Sequence, residues 1–204
     1  MAPTDGRADH RTGPRRRGEV LEAAILDATL AELNDVGYAR LAMERIAARA
    51  HTSKASLYKR WPSRAELVVA ALRHGRGPAD PAPDTGSLRE DVLTLLRRGA
   101  RRLEGPFGEA ARGLMVETLT DPDRTARVRA GMFVARDRLM REILDRAAAR
   151  GDIAATAIKP RLIGLAPALV DHHFLIHGTP IPDGVLTGIV DDVLLPLLVP
   201  DARD

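Results

Sequence analysis

The sequence predicts an all-α protein of about nine helices, and three observations carry that expectation. Apolar residues recur at helical spacing from residue 19 almost to the C-terminal end, with no alternating strand pattern between. Capping residues, glycines and prolines cut this run into segments of ordinary helical length. No internal repeat appears, so a solenoid is excluded. With 204 residues, 45% of them hydrophobic and 29% charged, the chain has material for one domain or two small ones.

Residues 1–13 mix Pro, Gly, Asp and Arg without periodicity and read as a disordered arm. Three arginines, 15–17, precede the first helix. That helix opens at Glu19 and keeps Leu21, Ala24, Ile25, Ala28, Leu33 and Val36 on one side, until Gly37 stops it. A shorter one places Met43, Ile46, Ala47 and Ala50 at i, i+3, i+4 and i+7. A break at His51-Thr52 leads into a third helix over residues 53–60. Ser63 with Glu66, and Ser87 with Glu90, form capping boxes that open the fourth and fifth helices. Between them, three prolines within residues 77–86 forbid helix propagation. Gly105-Pro106 restarts the chain into a sixth helix. Asp121 with Pro122 opens a long seventh that Gly151 ends. The eighth, residues 160–177, is apolar nearly all round and carries Pro167, which should kink it; the ninth covers about 183–198.

Composition excludes several function classes. The absence of cysteine removes disulfides, thiolate metal sites and cysteine nucleophiles. The longest apolar stretches, 162–170 and 193–199, fall short of the ~18–20 residues of a membrane span. The polar N-terminus lacks the apolar core of a signal peptide, so a cytoplasmic protein without membrane partners is expected. No nucleophile elbow, P-loop or dinucleotide fingerprint is present, so neither enzyme activity nor a cofactor is expected. Charge is uneven: residues 1–76 carry 14 Lys and Arg against 9 Asp and Glu, residues 77–204 carry 17 against 19. A basic front end suits a polyanion.

Helix, glycine stop, short helix, break and second short helix describe a helix-turn-helix within a three-helix unit. Ile46, Ala47 and Leu57 should face inward. Ser53, Lys54, Ala55, Ser56, Tyr58, Lys59 and Arg60 should lie mostly outside, presenting cations and hydroxyls of the kind a major groove accepts. Residues 42–50, AMERIAARA, followed by 53–67, SKASLYKRWPSRAEL, resemble the N-terminal domain of the tetracycline-repressor (TetR) family, and Gly37-Tyr38 matches its first-helix exit. Arg150-Gly-Asp-Ile153 before an apolar helix is similar to one branch of its C-terminal domains.

The resemblance implies a homodimeric regulator of double-stranded operator DNA: a ligand-responsive repressor that releases DNA when an unknown small molecule binds its C-terminal domain. It implies an arm at 1–13, a DNA-binding domain at 14–62 and a helical ligand-binding and dimerisation domain at 63–200. Lys54, Ala55, Ser56 and Lys59 fall on base- or phosphate-contacting positions, Tyr58 on a phosphate-contacting tyrosine, and Arg64 on a cationic position opening the fourth helix. Trp61 takes an aromatic core position. Two residues depart from the pattern. Ala42 replaces a capping threonine, and His51 replaces a turn glycine.

A ligand pocket is expected from Leu96, Phe107, Leu114, Met115, Met132, Phe133, Leu169 and Phe174, with Glu117, Thr118, Arg136 or His173 as polar anchors. Leu165, Leu169, Phe174, Leu186, Ile189, Val190, Val193, Leu194 and Leu197 are expected at a dimer interface. His173 and His177, at i, i+4 beside Asp171 and His172, lack further ligands, so no metal site is expected. Two rival readings stand beside the repressor: a dimeric small-molecule-binding protein with a vestigial helix-turn-helix, which the cations of residues 54–60 disfavour, and a small all-α hydrolase.

Overall fold

The computed structural model describes residues 18–75, 80–118 and 122–199, with side chains except at 116, 118 and 122–133. The arm at 1–13, the arginines at 15–17 and the Asp121 cap lie outside the described residues. Those described form nine helices and no strand. They group into two compact units, Met1–Gly75 and Arg76–Asp204.

The first unit holds α1 (Glu19–Val36), α2 (Met43–Arg49), α3 (Lys54–Arg60) and α4 (Arg64–His74). Gly37, at φ 73°, ends α1 and returns its N–H to the Leu33 carbonyl at 3.0 Å. Helix α4, expected to open the second domain at residue 63, groups with the first unit instead. It packs on α1 and buries Ala65, Leu67, Val68, Ala71 and Leu72, so the boundary falls one helix later. The Ser63 hydroxyl accepts the Glu66 N–H at 3.2 Å, the expected cap.

Periodicity had marked only the apolar face of α1; the structure adds two buried polar residues to it. Thr29 donates to the Ile25 carbonyl at 2.8 Å, which satisfies its hydroxyl inside the helix. The Glu32 carboxylate, 4% exposed, lies 2.5 Å from Arg45 Nε and 3.4 Å from Arg49 Nη2. Arg49 also reaches Asp35 at 2.5 Å. An acidic stripe on α1 therefore holds the basic side of α2.

The second unit contains α5 (Leu88–Arg102), α6 (Pro106–Thr118), α7 (Pro122–Arg150), a 3-10 turn Ala155–Ala157, α8 (Pro160–His177) and α9. Helix α9 starts as Asp183–Gly188, continues as a π-helical stretch Ile189–Leu194, and ends as Leu195–Leu198. Pro196 has no N–H for the carbonyl four residues back and its ring crowds that turn, which accounts for the wider winding before it. Pro167 sits buried within α8, which continues past it.

Val92, Leu93 and Leu96 of α5, Met140, Ile143 and Leu144 of α7, Val170 and Phe174 of α8, and Val190 and Leu194 of α9 meet in one core. Its edge is pinned by bidentate pairs: Arg89 to Asp191 at 2.7 and 2.8 Å, and Arg97 to Asp183 at 2.6 and 2.8 Å. Each guanidinium holds its carboxyl below the ordinary aspartate value. The Ser87 hydroxyl caps Glu90 N–H at 3.4 Å. The return half of that expected box is replaced, because the Glu90 carboxylate turns to Arg89 at 2.7 Å.

The residues expected at a dimer interface differ in how far their own subunit covers them. Phe174, Leu186, Ile189, Val190 and Leu194 are buried within the unit and serve its own core. Leu165 and Leu169 are half-buried, while Val193 and Leu197 are exposed. The apolar surface left open on α8 and at the end of the chain comprises Leu175, Ile176 (65% exposed), Val193, Leu197 and Val199. An all-round apolar helix does not announce which side its own subunit covers.

The Glu32 clamp yields a stability prediction. Replacing both Arg45 and Arg49 with Ala would strand a buried carboxylate. The cost should be about 2 kcal/mol, below the ~3–5 of a fully buried pair because both guanidiniums reach water. Adding Glu32→Met should restore most of it. Trp61, the chain's single tryptophan, lies in this unit, so urea unfolding followed by its emission reads the effect. An unchanged midpoint in the double variant would contradict the clamp.

Candidate nucleic-acid interface

Helix α3 has seven residues, too few to hold together alone in water. Three things fix it. Ser53 caps it, its hydroxyl accepting Ser56 N–H at 3.2 Å. Leu57 is fully buried, and Trp61, 9% exposed, closes its end as a packing residue. Ile46, Ala47 and Leu57 face inward as their spacing predicts. The turn before α3 passes through His51 at φ 53°, a strained conformation for a residue with a Cβ. His51 N–H to Ala48 O at 3.1 Å and Thr52 N–H to Ala47 O at 2.9 Å hold it there.

With Leu57 inside, Ser53, Lys54, Ala55, Tyr58 and Lys59 are exposed and Ser56 and Arg60 half-buried. The sequence-predicted residues thus share one surface. Lys54 leans over the Tyr58 ring, its ammonium 5.7 Å from the centroid, and is ion-paired with Glu44 of α2. Their hydrogen bond holds the Glu44 carboxyl below its ordinary value and the Lys54 ammonium above its own. Arg60 folds back onto its own helix, donating to Ser56 O at 3.2 Å and Ser56 Oγ at 3.0 Å.

Arg64 opens α4, at the place the sequence gives it. It lies half-buried, stacked 4.6 Å from the Tyr38 ring, and donates to the Leu41 carbonyl at 3.3 Å. It therefore ties the start of α4 to the connection before α2. Ala42, extended and without a side-chain cap bond, opens α2 as its identity requires.

The expected pocket residues of the second unit fall into three groups. Leu96, Leu114 and Phe174 are buried; Phe107, Met115, Glu117, Arg136, Leu169 and His173 are half-buried; the side chains of Thr118, Met132 and Phe133 lie outside those described. Sequence reasoning missed two polar contacts here. Arg136 of α7 donates to Asp171 of α8 at 2.8 Å. Burial pushes the Asp171 carboxyl up despite Arg136 beside it. Arg112 of α6 donates to the Phe174 carbonyl at 3.3 Å and stacks over that ring. His173 and His177 stack at 4.6 Å, and among the described residues no group of three or more possible metal ligands gathers.

The family of bacterial regulatory proteins known as tetR matches residues 25–71, within the first unit. The tetracyclin repressor-like C-terminal domain matches residues 82–193, over half of the chain. The chain belongs to the TetR family of transcriptional regulators. A DNA-binding transcriptional repressor of Mycobacteroides abscessus is 36% identical over 195 residues, covering 92% of this chain and 98% of that protein. An uncharacterised helix-turn-helix regulator of Mycobacterium tuberculosis is 36% identical over 177 residues, 87% of each chain. The solved TetR family regulator SCO0332 superposes with a TM-score of 0.75 at 30% identity, over 86% of this chain and 97% of its own. TetR-family regulators bind operator DNA and typically dimerise, and the family is not one of enzymes. Among the described residues no helix is long and apolar enough to cross a membrane.

Proposed function

We propose that this TetR-family regulator is a ligand-responsive repressor. As a homodimer it holds operator DNA through α3, and it lets go when a small molecule occupies the second unit. The observation carrying this is α3 itself: burial of Leu57 turns Lys54, Tyr58 and Lys59 outward together, on a short capped helix that can enter a major groove. Lys54, Ala55, Ser56 and Lys59 meet base edges and flanking phosphates; Ser53, Tyr58 and Arg60 meet the backbone. Arg64, a cation at the start of α4, adds a phosphate contact.

Dimerisation covers exposed apolar residues of α8 and α9, such as Leu175, Ile176, Val193 and Leu197, since exposed apolar side chains are what a partner subunit buries. The pocket lies between α6, α7 and α8, around Phe107, Met115, Leu169 and His173, with Arg136 and Asp171 as polar anchors. Its ligand must favour a state whose recognition helices leave the ~34–36 Å spacing of successive major grooves. Typical coupling of this kind is about 1–3 kcal/mol, and operator DNA must weaken the ligand by the factor the ligand weakens DNA. A ligand found by thermal-shift screening and titrated calorimetrically into free and operator-bound protein should bind the latter several-fold more weakly. Equal affinities would remove induction.

The DNA reading is tested by fluorescence anisotropy on DNA upstream of the protein's own reading frame. Lys54→Ala with Lys59→Ala should reduce affinity by a hundredfold or more at ~0.1 M salt, since each removes a charged contact and Lys54 also loses base readout. Parent-like binding by the double variant would show that α3 does not carry recognition.

A further inference from the structure

Glu44 faces the same solvent as α3, yet it carries the wrong sign for a phosphate-binding surface. Its side chain is 63% exposed, and it is joined to Lys54, whose side chain is 48% exposed. The two residues come from different helices of the helix-turn-helix, ten positions apart, so their meeting is set by the way α2 and α3 pack. The other acids facing α2 are engaged elsewhere: Glu32 with Arg45 and Arg49, and Asp35 with Arg49. Glu44 alone among them points to the recognition helix.

We infer that Glu44 is a specificity-determining residue, and that the Glu44–Lys54 pair reads one G·C base pair. This rests on the proposed DNA-binding role of α3. In the major groove guanine offers two acceptors, N7 and O6, and its cytosine offers the N4 amino donor beside them. An ammonium next to a carboxylate is the complement of that edge. Lys54 donates to guanine while Glu44 accepts from cytosine N4. A thymine in place of the cytosine turns O4, an acceptor, toward the carboxylate and leaves two acceptors facing each other. On random DNA, the Glu44 carboxylate held beside Lys54 is repelled by the phosphates. The carboxylate therefore rejects wrong sites as well as rewarding the right one. Their mutual hydrogen bond favours the charged form of each, holding the Glu44 carboxyl below its ordinary value and the Lys54 ammonium above its own.

The test is binding-site selection from a random duplex library with the full chain, followed by anisotropy on the selected operator and its single-base variants at one fixed salt concentration. The unmodified protein should show a G·C preference of about tenfold at one position per half-site. Glu44→Gln, whose amide both donates and accepts, should cut the cytosine preference there to twofold or less and leave other positions unchanged. It should also raise affinity for random DNA and steepen the logarithmic salt slope by about one per subunit. Lys54→Ala should weaken the preference at the same base pair and lower affinity for the operator. A Glu44→Gln protein with the parent's preference at every position, or one whose operator and random-DNA affinities rise by the same factor, overturns the inference and leaves Glu44 a plain surface charge. A parent protein that selects no sequence overturns the DNA-binding reading beneath it.

Discussion

A seven-residue helix has no independent existence in water, so every contact α3 can make depends on what grips it from behind. That grip is the burial of Leu57 and Trp61 and the packing of α3 on α2. Helix α2 is gripped in turn by α1, through Ile46 and through Glu32 between two arginines. The order is a chain of dependence: α1 sets α2, α2 sets α3, and α3 presents Lys54, Tyr58 and Lys59. Loss of any inner link would reach the outer surface as a misdirected side chain. The small residues Ala47 and Ala50 permit this by letting the short helices approach closely.

Ion pairs in the first unit divide into two kinds by burial. The Glu32 carboxylate is inside, so its removal from water must be answered by Arg45 and Arg49. The Glu44–Lys54 pair is open to solvent and adds little to folding. Its value is positional. It holds a cation of α3 and an anion of α2 side by side.

Helix boundaries were largely legible, because caps and breaks are local: Ser53, Ser63, Ser87, Gly37 and Gly151 act on backbone within four residues. The inward positions of Ile46, Ala47 and Leu57 followed from spacing. What spacing could not show were pairings between distant residues of complementary charge, such as Arg136 with Asp171 or Arg89 with Asp191, since many arginines compete for each aspartate on paper. Glu32 was hidden because periodicity counts apolar residues, and a buried carboxylate breaks its rule. Pro196 carried a readable signal for altered winding in α9 that hydrophobic pattern alone ignores. Which apolar residues of α8 its own subunit covers was hidden for a further reason. Phe174 and Ile176 sit two positions apart on an apolar helix, yet one is core and the other open, and only the packing of α5, α7 and α9 decides which.

The central claim, a dimer that reads DNA with two copies of α3, is tested most directly by hydroxyl-radical footprinting of the full chain on an operator that it selects. The account predicts two protected patches on one face of the duplex, centred about 10–10.5 base pairs apart or a whole multiple of that, as twofold-related recognition helices require. A single patch, or two separated by a half-integral number of turns, would contradict it.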